Sequence, residues 1–378
     1  MSNIQSVPMK ILRYILSKIN ILNSVYYGLP ADGPVYTIEV TYRCNAKCKF
    51  CSRWKLNNKQ EMTLEEYENI ALQLNKCKVK QVVLSGGEPF IRRDILEIAQ
   101  IFKKHGIRVA VDTNGTLIQE FSIDKVKEVI DSVLISLDSP YAEVQDQHKG
   151  IPGSFEKIIS AIKVLKRNDI KVIIGALISS ATIRGIDEYI KLANKLGVGY
   201  RFQLMQCEHD NMLSLNDYKL KLKIEDQIFL KEALNRIITN SRSNWAERIY
   251  YRLMPIFSMN NSILKNGKCF SAARLKYFID PKGSIVPCEG RRDIVLGNLL
   301  QEKLYNIINS NKTVQIRKRL FSGKDGCFCL YRCHIFDNIE YQYLPLFPLK
   351  SKNGWPIKNI WDKRINNWSA EISKVTEI

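Results

Sequence analysis

No apolar run in this 378-residue chain reaches the roughly 18 uncharged residues of a membrane span, and the N-terminus lacks the layout of a cleavable signal. A cytoplasmic protein is the expectation. Prolines are few, at 12, while apolar residues make up 45% of the chain, so a globular chain is expected rather than a disordered one. The length suits one large domain plus a small one. Acid is also in short supply: 57 Lys and Arg against 38 Asp and Glu leave a formal net charge of +19. The excess is uneven. Residues 1–60 carry nine cations (Lys10, Arg13, Lys18, Arg43, Lys47, Lys49, Arg53, Lys55 and Lys59) against Asp32 and Glu39. Such a surface attracts anionic substrates, anionic membranes, nucleic acid or acidic protein partners. Because no RNA-binding module is recognisable, nucleic acid is not expected as the partner.

What the chain does hold is cysteine, ten in all, eight of them in two groups or beside them. A reducing compartment keeps such thiols available as thiolates. Cys77 reads as a small apolar residue near a helix end, and Cys207, at the end of a strand, reads the same way with a site role as the alternative. In the first group Cys44, Cys48 and Cys51 stand at C-x3-C-x2-C spacing just after the strand-like run Val35–Val40. Three thiolates complete neither a tetrahedral zinc site nor the four corners of a 4Fe–4S cluster, so one metal keeps open positions. A zinc knuckle borrowing a distant fourth ligand is the alternative.

From residue 35 to about 206, short β-branched runs alternate with helical ones, the pattern of parallel βα units. Strands are expected at 35–40, 81–85, 108–112, 132–137, 171–178 and 200–205, with helices at 63–76, 91–105, 124–130, 154–167 and 186–196. Thr63 followed by Glu66 forms a capping box for the first helix. Six units fall short of the about 250 residues of a closed eight-fold barrel. The fold class is therefore α/β: a partial (βα)6 TIM-like barrel with a small C-terminal β-hairpin/helix cysteine-rich domain. The domain layout expected is an N-terminal amphipathic helix and linker over 1–34, the barrel over 35–206, a helical linker over 207–266 with helices at 217–239 and 244–259, the cysteine-rich part over 267–335, and an aromatic-rich tail over 336–378.

Unusual residues fall at the C-terminal strand ends, where barrel enzymes place their chemistry. They are the cysteine loop, Ser85-Gly86-Gly87-Glu88-Pro89, Asp112-Thr-Asn114-Gly-Thr116 and Ser136-Leu-Asp138-Ser139. The paired glycines let backbone approach a ligand closely, and Glu88 can accept from an ammonium group. With Phe50 just before the last cysteine, these motifs resemble those of the radical S-adenosylmethionine (SAM) superfamily. The resemblance implies a 4Fe–4S cluster on Cys44, Cys48 and Cys51 whose open iron chelates SAM. It also implies Phe50 near the adenine, Gly86, Gly87 and Glu88 at the amino group, and Ser136 and Asp138 at the ribose with Asn114 secondary. The stretch Gln147–Phe155 is similar to a family segment that usually has Arg before the glycine; Lys149 stands there instead, keeping the charge for a SAM carboxylate but losing the bidentate fork. Arg201–Met205 can line the adenine side. No catalytic side chain is singled out.

The second group begins at Cys269, and Tyr277–Cys288 reads as a hairpin turning at Asp280-Pro-Lys-Gly283, followed by a helix and Cys327-x-Cys329-x3-Cys333. So small a unit calls for a metal staple. It resembles the SPASM and shortened twitch domains, but has five cysteines where the complete pattern has seven. One auxiliary 4Fe–4S cluster is implied, on Cys269, Cys288 and two of Cys327, Cys329 and Cys333, with His334 a further candidate; a structural zinc is the alternative. A reduced flavodoxin or ferredoxin is the implied electron donor.

The family's substrates include ribosomal peptides, small molecules and lipids, and the reaction, oxidation or C–C, C–S or C–O bond formation, is left open. Residues 8–24 are amphipathic at helical spacing and basic, so packing on the barrel and peripheral contact with the inner membrane face are both open. The aromatic tail reads equally as an interface belt or a packed cap. The rivals are a zinc and nucleic-acid-binding protein without enzymatic activity and an RNA-modifying radical SAM enzyme.

Overall fold

The computed structural model describes residues 33–56, 60–205, 220–240, 245–259 and 269–323, with Ser24, Tyr27, Gly28 and Pro30 before them. The amphipathic stretch up to residue 23, Cys207, Cys327, Cys329, Cys333, His334 and the aromatic tail lie outside the described residues.

Six strands run parallel: β1 (Val35–Thr41), β2 (Gln81–Gly86), β3 (Arg108–Thr113), β4 (Ser132–Ser136), β5 (Lys171–Ile178) and β6 (Gly199–Leu204). Each strand has two faces because side chains alternate. On β1, Tyr36, Ile38 and Val40 are buried in the core under the helices, while Val35, Thr37 and Glu39 line the interior of the barrel. A buried aliphatic side chain of this kind contributes about 1.5–3 kcal/mol. The covering helices are α1 (Leu64–Lys76), α2 (Ile95–Lys104), α3 (Ile123–Val129), α4 (Ala142–Lys149), α5 (Ser154–Arg167) and α6 (Ile186–Leu196). Thr63 caps α1 as its sequence predicts: its hydroxyl accepts from the Glu66 N–H at 3.2 Å, and Glu66 Oε2 accepts from the Thr63 N–H at 2.7 Å. The sequence did not announce α4, whose eight residues are mostly polar, and α2 starts four residues later than expected because Pro89–Ile91 form a separate 3-10 turn.

After β6 come α7 (Ile224–Asn240) and α8 (Trp245–Met259). Tyr251 of α8 meets Phe202 of β6 edge-on at 6.3 Å between ring centroids. The cysteine-rich part supplies β7 (Lys276–Ile279), β8 (Ser284–Val286) and β9 (Gly297–Asn298), then α9 (Leu304–Asn309) and α10 (Asn311–Ser322). Its hairpin turns where the sequence places it: Gly283 N–H donates to Asp280 O at 3.0 Å, and Asp280 Oδ1 accepts from the Lys282 and Ser284 N–H groups. This hairpin is not detached from the barrel. Strand β7 pairs in parallel with β1, so one nine-stranded open sheet runs β6-β5-β4-β3-β2-β1-β7-β8-β9. Tyr36 and Tyr277 stack across that junction at 4.8 Å.

Candidate active site

The cysteine loop leaves the end of β1 and is fixed on three sides. From β2, the Gly87 and Glu88 N–H groups donate to Thr41 O at 2.8 Å and Arg43 O at 2.9 Å. A Cβ on Gly86 would lie 2.2 Å from Thr41 O, and one on Gly87 would lie 2.2 Å from Arg43 O. The close approach that these glycines allow is first of all to the cysteine loop's own backbone. From β3, Asn114 Nδ2 donates to Asn45 Oδ1 at 2.8 Å, and Asn45 Nδ2 donates to Thr116 Oγ1 at 2.9 Å. From the end of α4, His148 O and Lys149 O accept from the Lys49 and Lys47 N–H groups at 3.3 and 3.1 Å.

Glu88 is buried and joins two of these elements. Its Oε1 accepts from the Phe90 N–H (3.1 Å) and the Thr113 hydroxyl (2.7 Å), its Oε2 from the Asn114 N–H (2.7 Å). Of a carboxylate's roughly four acceptor positions, one on Oε2 is left. Burial pushes its pKa up, against the pull of those donors. Asp138 is likewise engaged, Oδ1 by the Leu177 N–H at 3.0 Å and Oδ2 by Lys149 Nζ at 2.8 Å. Burial raises its carboxyl, but Lys149 and His148 outweigh burial and hold it well below the usual range. The same Nζ stands 5.4 Å from the Phe50 ring centroid, and Phe50 in turn meets His148 at 4.9 Å. Gln145, on the unanticipated α4, accepts through Oε1 from the Asp138 and Ser139 N–H groups at 2.8 and 3.2 Å.

Below the loop lies a cavity of about 580 Å³, the barrel interior. Phe50, Ser136, Asp138 and Lys149 line it; Gly86, Gly87, Glu88 and Asn114 belong to the loops that hold the cysteines. Asp112 and Arg201, from the strand-end stretches that the sequence singles out, line it too, as do four charged residues given no site role there: Glu39, Arg53, Lys276 and Glu289. Arg53 therefore leaves the basic rim on which the sequence places it. It is buried and ion-paired to both Glu39 and Glu289, while Arg292 grips Glu39 with two bonds of 2.6 Å. The visible signal was Glu39, an acid at an inward position of an otherwise uncharged strand, which needs a buried cation.

Burial pushes the Asp112 carboxyl up to about 6, with Arg201 and Lys276 pulling it down and Glu289 adding to the rise. Its folded pKa thus exceeds the unfolded value of about 3.9. The penalty for burying its charge is fully present above about pH 6 and fades as pH falls toward 4, so stability drops as pH rises through that window. Asp112→Asn should stabilise the protein by about 2–3 kcal/mol at pH 7.5 and by almost nothing at pH 4, read from urea midpoints. A loss of stability at pH 7.5 would contradict this.

The thiols carry a related cost. Burial pushes Cys44 up to about 11 and Cys48 up to about 12. Metal loading must displace those protons and so strengthens with pH. The Ala46 N–H already points at Cys44 Sγ at 3.4 Å. Three sulfurs with no nitrogen or oxygen donor form the soft set that iron–sulfur clusters use. Among the described residues no three His, Cys, Asp or Glu side chains gather so as to hold a single ion.

Residues 38–193 match the model of the radical SAM superfamily. The chain thus carries a radical SAM domain. Residues 269–334 match SPASM, an iron–sulfur cluster-binding domain. A radical SAM domain takes a 4Fe–4S cluster and SAM, and a SPASM domain takes auxiliary iron–sulfur binding. The chain is 31% identical over 162 residues to an AdoMet-dependent heme synthase of Methanosarcina barkeri, a match covering 42% of this chain and 46% of that protein. It is 29% identical over 273 residues to a probable GTP 3′,8-cyclase of Pyrococcus horikoshii, covering 68% and 83%. The first of these matches thus spans about half of its relative. In fold, the protein is similar to SuiB of Streptococcus suis bound to S-adenosylmethionine (TM-score 0.62, 18% identity, 84% of this chain and 75% of that one). It is also similar to anSMEcpe with bound AdoMet (TM-score 0.61, 20% identity, 82% and 96%). Against this radical SAM frame, the residues expected at SAM separate into two sets. Phe50, Ser136, Asp138 and Lys149 face the cavity, whereas Gly86, Gly87, Glu88 and Asn114 splice the cysteine loop to β2 and β3.

Proposed function

We propose that this radical SAM protein cleaves SAM reductively at Cys44, Cys48 and Cys51 and abstracts hydrogen from a substrate held in the barrel cavity. The observation that carries the reading is one three-thiol loop, locked by β2, β3 and α4, over a cavity lined by charge. The cluster and SAM supply the one-electron chemistry and the 5′-deoxyadenosyl radical. The chain supplies position: Phe50 stands where an adenine ring can stack, Lys149 holds a positive charge against Asp138 at 2.8 Å, and Glu88 Oε2 keeps one acceptor position for an ammonium. Cys269 and Cys288, with two of Cys327, Cys329 and Cys333, hold an auxiliary cluster that aids substrate oxidation or binding. A flavodoxin or ferredoxin meets the basic surface as electron donor.

Asp112, Arg201, Lys276 and Glu289 on the cavity wall favour a polar substrate, a small molecule or a peptide side chain, over an acyl chain. Lipid in that space would strip water from four charged groups, a desolvation cost that a polar substrate avoids. No described helix is long and apolar enough to cross a membrane. Contact of the N-terminal stretch with a membrane is tested by flotation with anionic vesicles, where unchanged binding after removal of residues 1–28 would refute an anchor.

Anaerobic reconstitution with iron and sulfide should load about eight irons, falling to about four in a Cys44, Cys48 and Cys51→Ala triple variant. Dithionite-driven release of 5′-deoxyadenosine from SAM, followed by chromatography, should disappear in that variant. Zinc in place of iron, with steeply salt-dependent RNA affinity, would establish the rival instead.

A further inference from the structure

Among the described residues, two buried arginines of the cysteine-rich part have no acid among their hydrogen-bond partners. Arg274 and Arg317 are both 0% exposed. Arg317 donates to Gly28 O at 2.8 Å, to the Tyr277 hydroxyl at 2.7 Å and to Ala273 O. Arg274 donates through Nε to Ser24 O at 3.3 Å and through Nη2 to Arg317 O at 3.0 Å, while its Nη1 has no partner. Its guanidinium lies 5.6 Å from the ring centroid of Phe270 and 5.5 Å from that of Phe321. Every one of these partners is neutral. Burial, and after it the repulsion of Arg317, pushes Arg274 down to about 10, so at neutral pH it stays charged.

Burying an ion costs several kcal/mol even after relaxation, and ring faces and carbonyls return only part of that. Two like charges side by side add to it. A missing anion would balance the site, and the neighbouring thiols say where it belongs. Cys269 precedes Arg274 by one turn of chain, and its sulfur accepts from the Ala272 N–H at 3.4 Å. Its own N–H donates to Leu320 O, on the helix that carries Arg317. The Ala273 N–H donates to Pro287 O at 3.1 Å, which brings the residue before Cys288 against the same turn. Both cysteines are buried.

We propose that Arg274, backed by Arg317, is the built-in counter-charge of the anionic metal–thiolate group at Cys269 and Cys288, stabilising its reduced form and raising its reduction potential. The inference rests on the auxiliary-cluster reading above. A cluster held by thiolates carries net negative charge and gains one more on reduction, so a fixed buried cation favours the reduced state.

The test uses the full chain in the Cys44, Cys48 and Cys51→Ala background, where the auxiliary signal stands alone. Arg274→Met keeps the bulk between Phe270 and Phe321 and removes the charge; Arg274→Lys keeps the charge. In an EPR redox titration, the reduced-to-oxidised ratio at the parent midpoint should fall about tenfold in Arg274→Met, a shift of about 59 mV for a one-electron couple, and remain near the parent in Arg274→Lys. The melting temperature supplies a second readout with opposite signs: Arg274→Met should leave the iron-free protein as stable or more stable, and make the loaded protein less stable. Loss of iron from a variant whose iron-free form melts normally would also support the proposal. Full iron with an unchanged midpoint, or equal destabilisation with and without iron, would overturn it and reduce Arg274 to a cap on Ser24 O and Arg317 O. A background protein that takes up no iron would overturn the auxiliary site itself, and the inference with it.

Discussion

A Gly87→Ala protein is expected to be destabilised by about 3–5 kcal/mol and to lose the iron of the first cysteine loop while keeping that of the second. The added methyl would stand 2.2 Å from Arg43 O and 2.6 Å from Tyr42 O. Both are backbone atoms of the cysteine loop, so neither can swing aside as the end of a long side chain would. Relief requires the two loops to part, which breaks the bonds from the Gly87 N–H to Thr41 O and from the Glu88 N–H to Arg43 O. Each is worth about 1 kcal/mol, and the overpacking a further 1–3. Gly106→Ala is the control: its backbone has φ +70 but nothing lies within 4 Å of the new methyl, so only the backbone cost of about 1–2 kcal/mol remains. Urea titration and iron counting check both variants. Equal stability and equal iron in Gly87→Ala and the parent would refute the account.

Arg53→Met is expected to cost about 3–5 kcal/mol, because it strips the cation from Glu39 and Glu289 at once. Glu39 is the key to the magnitude. Burial pushes its carboxyl up, but Arg53 and Arg292 outweigh burial and hold it below the usual range. With Arg53 gone, Arg292 still grips Glu39 through two bonds of 2.6 Å, whereas Glu289 loses its ion pair to Arg53. The double variant Glu39→Gln with Arg53→Met should recover part of the loss, and a double-mutant cycle on melting curves measures how much. Full additivity would show that the pair is not coupled. Arg53 lies two residues past Cys51 and Glu289 directly follows Cys288, so iron content should fall at both groups.

The barrel was legible where burial and periodicity agree. Five of the six strand starts and the Thr63 cap fall at the expected residues because β-branched alternation and capping are local signals. Helix α4 was not legible: Ala142–Lys149 has no apolar stripe, and it is held by Gln145, His148 and Lys149 turning inward to polar partners, the reverse of the usual pattern. Nor was the fate of Arg53 readable. A cation beside a basic loop reads as rim; Glu39 signals a buried cation without saying which one, and Glu289, 236 residues away, joins Glu39 in holding Arg53 inside. Glycines 86 and 87 read as a close approach to a ligand, whereas what approaches them is the cysteine loop's backbone, since contact between two loops distant in sequence leaves no mark on either alone.

The pairing of β7 with β1 sets an order of events. Until residue 279 has left the ribosome, β1 has an open edge with unpaired N–H and C=O groups along Val35–Ile38. Arg53 and Glu39 equally wait for Glu289 and Arg292, the latter 253 residues away from Glu39. The first part of the chain to be made is therefore finished late. A nascent or truncated chain ending before the hairpin carries the three thiols of the first loop above a half-built ion network, so iron delivered early meets an unfinished cradle. Iron should therefore enter the first loop only once Glu289 and Arg292 are in place.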